Sequence, residues 1–363
     1  MKGALSSQKI ASILSKTIQR KYSDSEIVSF PIADGGNGTL ECLMNTLGGT
    51  IYKKEVCGPI PSLKVTARYG ITNDKIAIIE SAEAIGLHLL FPSPETIAQS
   101  TSQGIGELML AVMEQSCSEI LIGLGGTATN DGGAGMAKAF GVKMFDEHHE
   151  QLREGSIALL HLNNIEDYET KFKRRKITIL SDVQNRLLGN NGATYTFALQ
   201  KGASEDQLPY LESALTNLSD VVQRDLKKNC SEIPGSGAAG GLAFGLLTFC
   251  DATIVSGIDY ILDTIGFDKI IAACDCVITT EGMLDDQTLF GKGISGIARR
   301  ARKINKPVHA FVGKVNGNVE KLKTTLGLAS LTQISPEELT TQEAMRDASW
   351  LLADSVFRHE FNH

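Results

Sequence analysis

The sequence predicts an α/β protein with two α/β domains, one a doubly wound parallel-sheet domain of the flavodoxin or Rossmann type and one an inserted domain with a mixed sheet. Three observations lead to this prediction. The chain has 363 residues, which exceeds one ordinary core and suits two. Helix-like and strand-like apolar patterns alternate along it. After about residue 265 the alternation becomes regular, as in the βαβ units of parallel sheets.

The N-terminal region predicts one helix followed by one strand. Residues 7–21 form the helix, because four apolar side chains fall on one helical stripe. These are Ile10, Ile13, Leu14 and Ile18. Residues 26–32 (EIVSFPI) then predict a strand that ends in the turn ADGGNG.

The middle of the chain predicts a more varied arrangement. Three strand-like runs between residues 50 and 80 indicate an antiparallel or mixed meander: IYKKEV, KVTARYG and KIAIIES. A helix over 103–115 and two further strands, EILIGLG and KITILSDV, follow. The apolar run 238–250 is too short to cross a bilayer and predicts a buried helix.

The C-terminal part predicts regular βαβ units. Its elements are the strand CDCVITTEG, the helix GISGIARRARKI, the strands PVHAFVG and ASLTQI, and a final helix over 342–359. We therefore assign residues 1–50 and 256–363 to one discontinuous doubly wound domain. Residues 51–255 form the inserted mixed domain.

Charge and cysteine usage limit the functional classes. The net charge of −7 argues against a general nucleic-acid binder, and the one basic run, KFKRRK, has no interleaved aromatic residues. No secretory leader is evident at the start of the sequence. The seven cysteines are scattered without a CxxC pair, as is typical of reduced thiols. We expect a cytoplasmic protein without nucleic-acid or membrane partners.

Four glycine-rich loops lie at predicted strand ends or helix starts: 33–39, 123–135, 234–241 and 279–293. Glycine loops before helices expose backbone N–H groups that bind anions such as phosphate, although glycines also simply form tight turns. Five acids accompany these loops or a strand end: Asp34, Asp131, Asp182, Glu281 and Asp285. A carboxylate there suits a Mg²⁺ ligand or a proton acceptor, or a helix cap.

Several common motifs are absent or out of context. GxGxxG occurs at Gly235, Gly237 and Gly240 without a preceding strand, and the related match from Gly123 runs into NDGG, so a dehydrogenase is disfavoured. The chain has no GxxxxGK[ST] phosphate loop, no GxSxG and no HExxH. His148 and His149 lie in a charged segment that favours a solvated turn over a metal site.

Read together and in order, the loops resemble the type-1 glycerate kinase family. The matching blocks span nearly the whole chain: KGALS, PIADGGNGT, TSQGIGEL, GLGGTATNDGGAGM, LSDVQNRLLG, GATYTFALQKGA, PGSGAAGGLA, VSGIDYIL and EGMLDDQTLFGKG. The resemblance implies transfer of the ATP γ-phosphate to a hydroxyl of D-glycerate, with the 2-hydroxyl favoured. It implies ATP and Mg²⁺ as cofactors and D-glycerate as the partner molecule, and leaves a monomer or a homodimer open.

The resemblance also implies roles for site residues. Phosphoryl transfer needs groups that position the reactants and offset charge. Contacts to phosphate or substrate are assigned to Lys2, Gly125, Gly126, Thr127, Asn130, Lys201, Gly237, Gly240 and Lys292. Mg²⁺ ligands are assigned to Glu281 and Asp285, and the base to Asp34, Asp131 or Asp182.

This chain departs from the family pattern at several positions. It has Asn37 where the family has Glu, Arg186 where it has Pro and Thr280 where it has Gly. Met1 stands at the position of a family Phe, and the apolar strand before it is missing. We therefore expect a shortened chain that is less stable than a form extended upstream. A catalytically impaired ATP- or glycerate-binding homologue is the alternative function.

Overall fold

The computed structural model describes residues 5, 7–166, 171–172, 174–285 and 293–361. The chain divides into two compact units: unit 1 is Met1–Ala33 with Ile258–His363, and unit 2 is Asp34–Gly257. The sequence analysis put the first boundary after residue 50 instead. The boundary lies earlier because the helix Thr39–Leu47 packs against the strands Lys64–Ile71 and Ile76–Glu80 of unit 2.

The described residues form helices and strands in alternation. The helices are α1 (Ser7–Lys21), α2 (Thr39–Leu47), α3 (Ser81–Ile85), α4 (Pro94–Ala98), α5 (Gln103–Met113), α6 (Ala134–Ala139), α7 (Ala193–Phe197), α8 (Leu208–Leu226), α9 (Leu242–Cys250), α10 (Gly257–Thr264), α11 (Phe267–Ala272), α12 (Gly293–Lys303), α13 (Val319–Leu326), α14 (Thr341–Arg346) and α15 (Ala348–Arg358). The strands are β1 (Thr50–Cys57), β2 (Lys64–Ile71), β3 (Ile76–Glu80), β4 (Glu119–Gly123), β5 (Met144–Phe145), β6 (Asn164–Ile165), β7 (Lys176–Leu180), β8 (Thr253–Val255), β9 (Val277–Asp285), β10 (Val308–Asn316) and β11 (Ser330–Gln333).

Unit 2 is built on a mixed sheet with the strand order β1-β2-β3-β4-β7-β8. The β1, β2 and β3 strands pair antiparallel, which confirms the predicted meander. From β3 to β8 the pairing is parallel, and Glu80, Gly123, Leu180 and Val255 lie in one row across it. The four parallel strands therefore end at the same edge, where ligand sites of open α/β sheets form.

Helices cover this sheet and complete the core of unit 2. Every residue of α9 is buried, which confirms the buried helix predicted for this apolar run. The long helix α8 was not predicted, although Leu211, Leu215, Leu218 and Val222 form a buried stripe with helical spacing.

Unit 1 contains a parallel sheet with the order β11-β10-β9, which confirms the predicted parallel strands. The apolar stripe of α1 packs with α15, and the predicted final helix is two helices that meet at Asp347. The helix α13, between β10 and β11, was missed.

The strand predicted over residues 26–32 is wrong. This segment forms no strand with any described residue. Phe30 and Ile32 instead pack onto the apolar cluster of unit 1 that contains Ile258 and Phe267. Pro31 has no backbone N–H to donate to a ladder, so the apolar pattern here reflects packing of an extended segment rather than strand pairing.

Two further features of the described residues concern membrane-spanning helices and cysteines. None of the described helices combines the length and the apolar character that crossing a bilayer requires. All seven cysteines are free thiols, and four of them, Cys42, Cys57, Cys117 and Cys250, are buried.

Candidate functional site

The glycine loops of unit 2 meet at the carboxyl edge of its parallel strands and touch through their backbones. A Cβ atom on Gly125 would lie 2.6 Å from the Cα atom of Gly36, and one on Gly240 would overlap the carbonyl oxygen of Thr129. Real Cβ contacts are not this short, so these positions need glycine. At Gly125 and Thr129 the loop 123–135 therefore lies directly against other loops of the same chain.

The N-terminus of α2 is already occupied by a carboxylate of the protein itself. Glu80, at the end of β3, accepts hydrogen bonds of 3.1 Å from the backbone N–H groups of Gly38 and Leu40. Burial raises the pKa of Glu80, and these hydrogen bonds oppose the rise. These two amides are used inside the fold, so they are not available at the start of α2 for binding an anion.

Asp131 anchors the loop 123–135 in a similar way. Its carboxylate accepts hydrogen bonds from the backbone N–H and hydroxyl of Ser102, at 2.7 and 2.8 Å, and from the N–H groups of Gly133 and Gly135, both at 3.1 Å. The side chain is buried, and burial raises its pKa while the four hydrogen bonds oppose the rise. These four hydrogen bonds hold the loop 123–135 in place and use both carboxylate oxygens of Asp131.

Asp34 and Asp182 lie at one junction at the same edge. The hydroxyl of Ser256 donates to Asp182 Oδ1 at 2.7 Å, and a Cβ on the next residue, Gly257, would lie 2.5 Å from the carbonyl oxygen of Asp34. The N–H of Gly36 donates to Asp34 Oδ1 at 3.2 Å. Both acids are partly exposed. The structure therefore brings these two of the five predicted acids together.

The predicted ligand-contact residues of unit 2 also adjoin one another. The loop from Gly125 to Asn130 lies beside the loop 234–241, whose Gly240 carbonyl accepts from Gly132 N–H at 3.1 Å. Gly126, with φ +67°, adjoins the side chain of Asn37. Thr127 is buried and bridges to Gly86. The N–H of Gly237 donates to the Asn185 carbonyl at 2.9 Å.

Lys201 is buried below these loops. Its ammonium donates to the Thr129 carbonyl at 2.7 Å, and the neighbouring Asn130 Nδ2 donates to Thr194 Oγ1 at 3.3 Å. Burial lowers the pKa of Lys201 to about 7, while the charge of Asp131 acts in the opposite direction. A buried amine that titrates near neutrality can change its charge when a ligand binds.

The remaining predicted residues lie in unit 1 or outside the described residues. Glu281 is in β9, and its Oε1 accepts from the Gly282 N–H at 3.0 Å. Asp285 ends the same strand, about 13 Å away at the usual rise per residue, which does not favour a shared ion. Lys2, Lys292 and the side chain of Asp285 lie outside the described residues. Within the part of the chain that is described, no three His, Cys, Asp or Glu side chains gather as a metal site.

Sequence reasoning missed Glu80, Ser102 and Ser256. Glu80 had a usable signal, because it is the acid that ends the apolar run KIAIIES, just as Asp182 follows KITIL. Ser102 and Ser256 had none, because serine is common in loops and their partners are distant in sequence.

Comparison with known proteins assigns the whole arrangement to one family. Residues 1–358 match the model of the glycerate kinase family. The chain is 36% identical over 350 residues to the glycerate 2-kinase of Escherichia coli, covering 96% of this chain and 91% of that protein. It is 33% identical over 358 residues to the glycerate kinase of Halalkalibacterium halodurans, covering 98% and 94%.

A solved structure supports the same assignment. The fold resembles a crystal structure described as a glycerate kinase 2 from Salmonella typhimurium, with a TM-score of 0.77 at 32% identity, covering 98% of this chain and 94% of that one. The chain therefore belongs to the glycerate kinase family and is an enzyme of the kinase class.

Proposed function

We propose that the protein transfers the γ-phosphate of ATP to the 2-hydroxyl of D-glycerate. The observation that carries this proposal is the family match over residues 1–358, which includes every loop of the site described above. The 2-position is favoured because a relative that covers 96% of this chain is named a glycerate 2-kinase. A cytoplasmic location, and a monomer or homodimer, stay predictions.

The junction of Asp34 and Asp182 is the proposed centre for the chemistry. Phosphoryl transfer needs a group that accepts the proton of the attacking hydroxyl, and a partly exposed carboxylate within reach of the substrate can do so. Ser256 orients Asp182 through its 2.7 Å hydrogen bond. Asp131 is proposed instead to hold the loop 123–135 in place, since four donors engage its oxygens.

The donor set of this junction fits Mg²⁺. Mg²⁺ prefers oxygen ligands and is usually held by one or two carboxylates together with substrate phosphates and water. Asp34 and Asp182 supply two such carboxylates, and the assignment of Glu281 and Asp285 as metal ligands stays a separate prediction. When bound with ATP, the ion offsets charge on the phosphates.

A coupled assay of ADP release tests the function directly. We expect release that requires both D-glycerate and Mg²⁺, and phosphorus NMR of the product to show 2-phosphoglycerate. Release with ATP alone at the same rate would contradict the assignment. A 3-phosphoglycerate product would support the kinase activity but contradict transfer to the 2-hydroxyl.

A second candidate function, a catalytically impaired binding homologue, is favoured by Asn37. This exposed side chain lies against Gly126, in a loop where the family pattern has a carboxylate. On this alternative the wild type binds D-glycerate without releasing ADP, and Asn37→Glu restores turnover. If the wild type and the Asn37→Glu variant turn over at the same rate, Asn37 does not impair catalysis.

A further inference from the structure

Unit 2 contains a buried polar cluster at Lys201, defined here by Thr129, Asn130, Thr194 and Lys201. Thr129, Asn130 and Thr194 are fully buried and Lys201 is 4% exposed. Its members come from the loop after β4, from α7 and from the short helix Leu199–Lys201 that follows it. The chain thus brings an amine, an amide and two hydroxyls together away from solvent.

The Lys201 cluster has unused hydrogen-bonding capacity. Asn130 Oδ1 and Thr129 Oγ1 are buried without a hydrogen-bond partner in the described structure. The Lys201 ammonium has three N–H groups, and its acceptor is the Thr129 carbonyl. Buried polar groups are normally satisfied, and leaving them unsatisfied is costly. The cluster can therefore form further hydrogen bonds with a molecule that both donates and accepts.

The chemistry of these atoms selects the class of that molecule. The ammonium group requires an acceptor, preferably one with negative charge. Asn130 Oδ1 only accepts, so its partner must be a donor such as a hydroxyl. A triphosphate offers acceptors alone, so it cannot donate to Asn130 Oδ1. A small monoanion that carries both a carboxylate and a hydroxyl satisfies all of these demands.

We propose that the Lys201 cluster binds the hydroxy acid substrate, with Lys201 on its carboxylate and Asn130 accepting from its hydroxyl. The identification of that acid as D-glycerate rests on the proposed function. The assignment differs from a phosphate contact, which is the other role open to a lysine in a kinase.

This arrangement couples binding to a proton. Because burial lowers the pKa of free Lys201 to about 7, the amine is mostly neutral at pH 8. A carboxylate placed beside it favours the ammonium form and raises the pKa. Binding at pH 8 then takes up close to one proton, and the Kd for D-glycerate rises about tenfold per pH unit above pH 8.

Titration calorimetry with D-glycerate in phosphate and in Tris at pH 8 measures this uptake, because the two buffers release protons with different enthalpies. We expect nearly one proton per glycerate bound by the wild type. Lys201→Met removes the uptake and weakens binding by roughly tenfold or more. The control is Lys138→Met, since Lys138 is also largely buried in unit 2, donates to the Leu152 carbonyl and pairs with Glu154. This control retains the uptake and the wild-type Kd.

Two results would overturn the inference. One is a wild type that binds D-glycerate without proton uptake and with the same Kd from pH 6.5 to 9, which leaves only internal water for the cluster. The other is a folded Lys201→Met variant with the wild-type Kd. The pH series needs no variant, so it decides the matter even if the substitution prevents folding. ADP release is measured separately: turnover without proton-linked binding overturns only this inference, and proton-linked binding without turnover overturns only the proposed function.

Discussion

The carboxylate of Asp131 accepts two hydrogen bonds from Ser102, one from its backbone N–H at 2.7 Å and one from its hydroxyl at 2.8 Å. Ser102 precedes α5, whereas Asp131 lies in the loop after β4. The contact therefore ties the glycine-rich loop to the start of a helix of the core. The same hydroxyl accepts from the Met136 N–H at 2.9 Å, which extends the connection to α6.

Replacing Asp131 by Asn is expected to lower the stability of unit 2. The amide keeps one acceptor oxygen but turns an N–H₂ group toward backbone donors, so buried donors lose their partner. We expect a loss of about 2 kcal/mol or more in the free energy of unfolding, measured by urea denaturation. Ser102→Ala removes one of the four hydrogen bonds to Asp131 and also the one from the Met136 N–H, and it is expected to cost about 1–2 kcal/mol. An Asp131→Asn variant as stable as the wild type would show that Asp131 is not an anchor.

Asp34→Asn and Asp182→Asn are expected to impair catalysis with little change in Tm, because both side chains are partly exposed at the loop junction. Loss of the base lowers kcat by roughly 10²–10⁴-fold with the KM for ATP unchanged. Loss of a metal ligand raises the Mg²⁺ concentration needed for half-maximal rate. Asp251→Asn serves as the control, since Asp251 is exposed with φ 51°, a conformation that Asn accepts. Wild-type kcat in both variants would place the chemistry elsewhere.

Gly240→Ala is expected to destabilise the protein by more than the strain of a positive φ alone, because the added methyl group also meets another loop. Gly240 has φ +66°, and an added Cβ would overlap the Thr129 carbonyl that also accepts from Lys201. The matched control is Gly266→Ala, because Gly266 has φ +69° and no atom within 4 Å of a built Cβ. We expect the control to cost about 1 kcal/mol and Gly240→Ala a further 1–3 kcal/mol, with weaker D-glycerate binding. Equal losses in the two variants would mean that the loops separate easily.

Acidification is expected to destabilise unit 1 through His359. Its Nε2 lies 3.1 Å from His309 Nδ1 and 3.2 Å from Ser330 Oγ, and burial, together with the charge of Lys21, lowers its pKa. The native state therefore binds fewer protons than the unfolded state, and stability falls as the pH drops below about 6.5. Trp350, the single tryptophan, lies in α15 and reports the unfolding of unit 1 by fluorescence.

The matched variant for this prediction is His359→Asn, which removes the titrating ring. Between pH 7.5 and 5.5 the wild type is expected to lose more stability than the variant, and the difference between the two slopes isolates His359 from the acids that titrate in the same range. Parallel slopes would show that the His359 site does not couple folding to pH.

Most of the longer strands of both sheets and the helices α1, α5, α9 and α12 were predictable, because their apolar residues show a clear period, whereas α8 and α13 were missed. The conformation of segment 26–32 was not predictable, since an extended chain that packs apolar side chains has the same pattern as a strand. The acids were found as a set but their roles were not separable by sequence. Asp131 and Asp182 both lie beside glycines or a strand end, and only distances show that four donors bind the first while the hydroxyl of Ser256 donates to the second, which is partly exposed.

The close contacts between the glycine-rich loops of unit 2 were not predicted from the sequence. A Cβ atom on Gly125 or Gly240 would meet another loop of the chain, at Gly36 and at Thr129 respectively. Contacts of this kind join segments that are far apart in sequence. No local pattern encodes them.

Loops that touch through their main chains have a particular tolerance to change. The separation between Gly125 and Gly36 is set by loop length and not by side chains at those two positions, so an exchange at an exposed position such as Arg186 is expected to leave the spacing intact. One inserted or deleted residue would shift each downstream amide by several ångströms. The backbone contacts between the loops would then be lost. We therefore expect natural variants of this region to differ by residue identity while keeping a constant number of residues between the tips of β4 and β7 and the loops they meet.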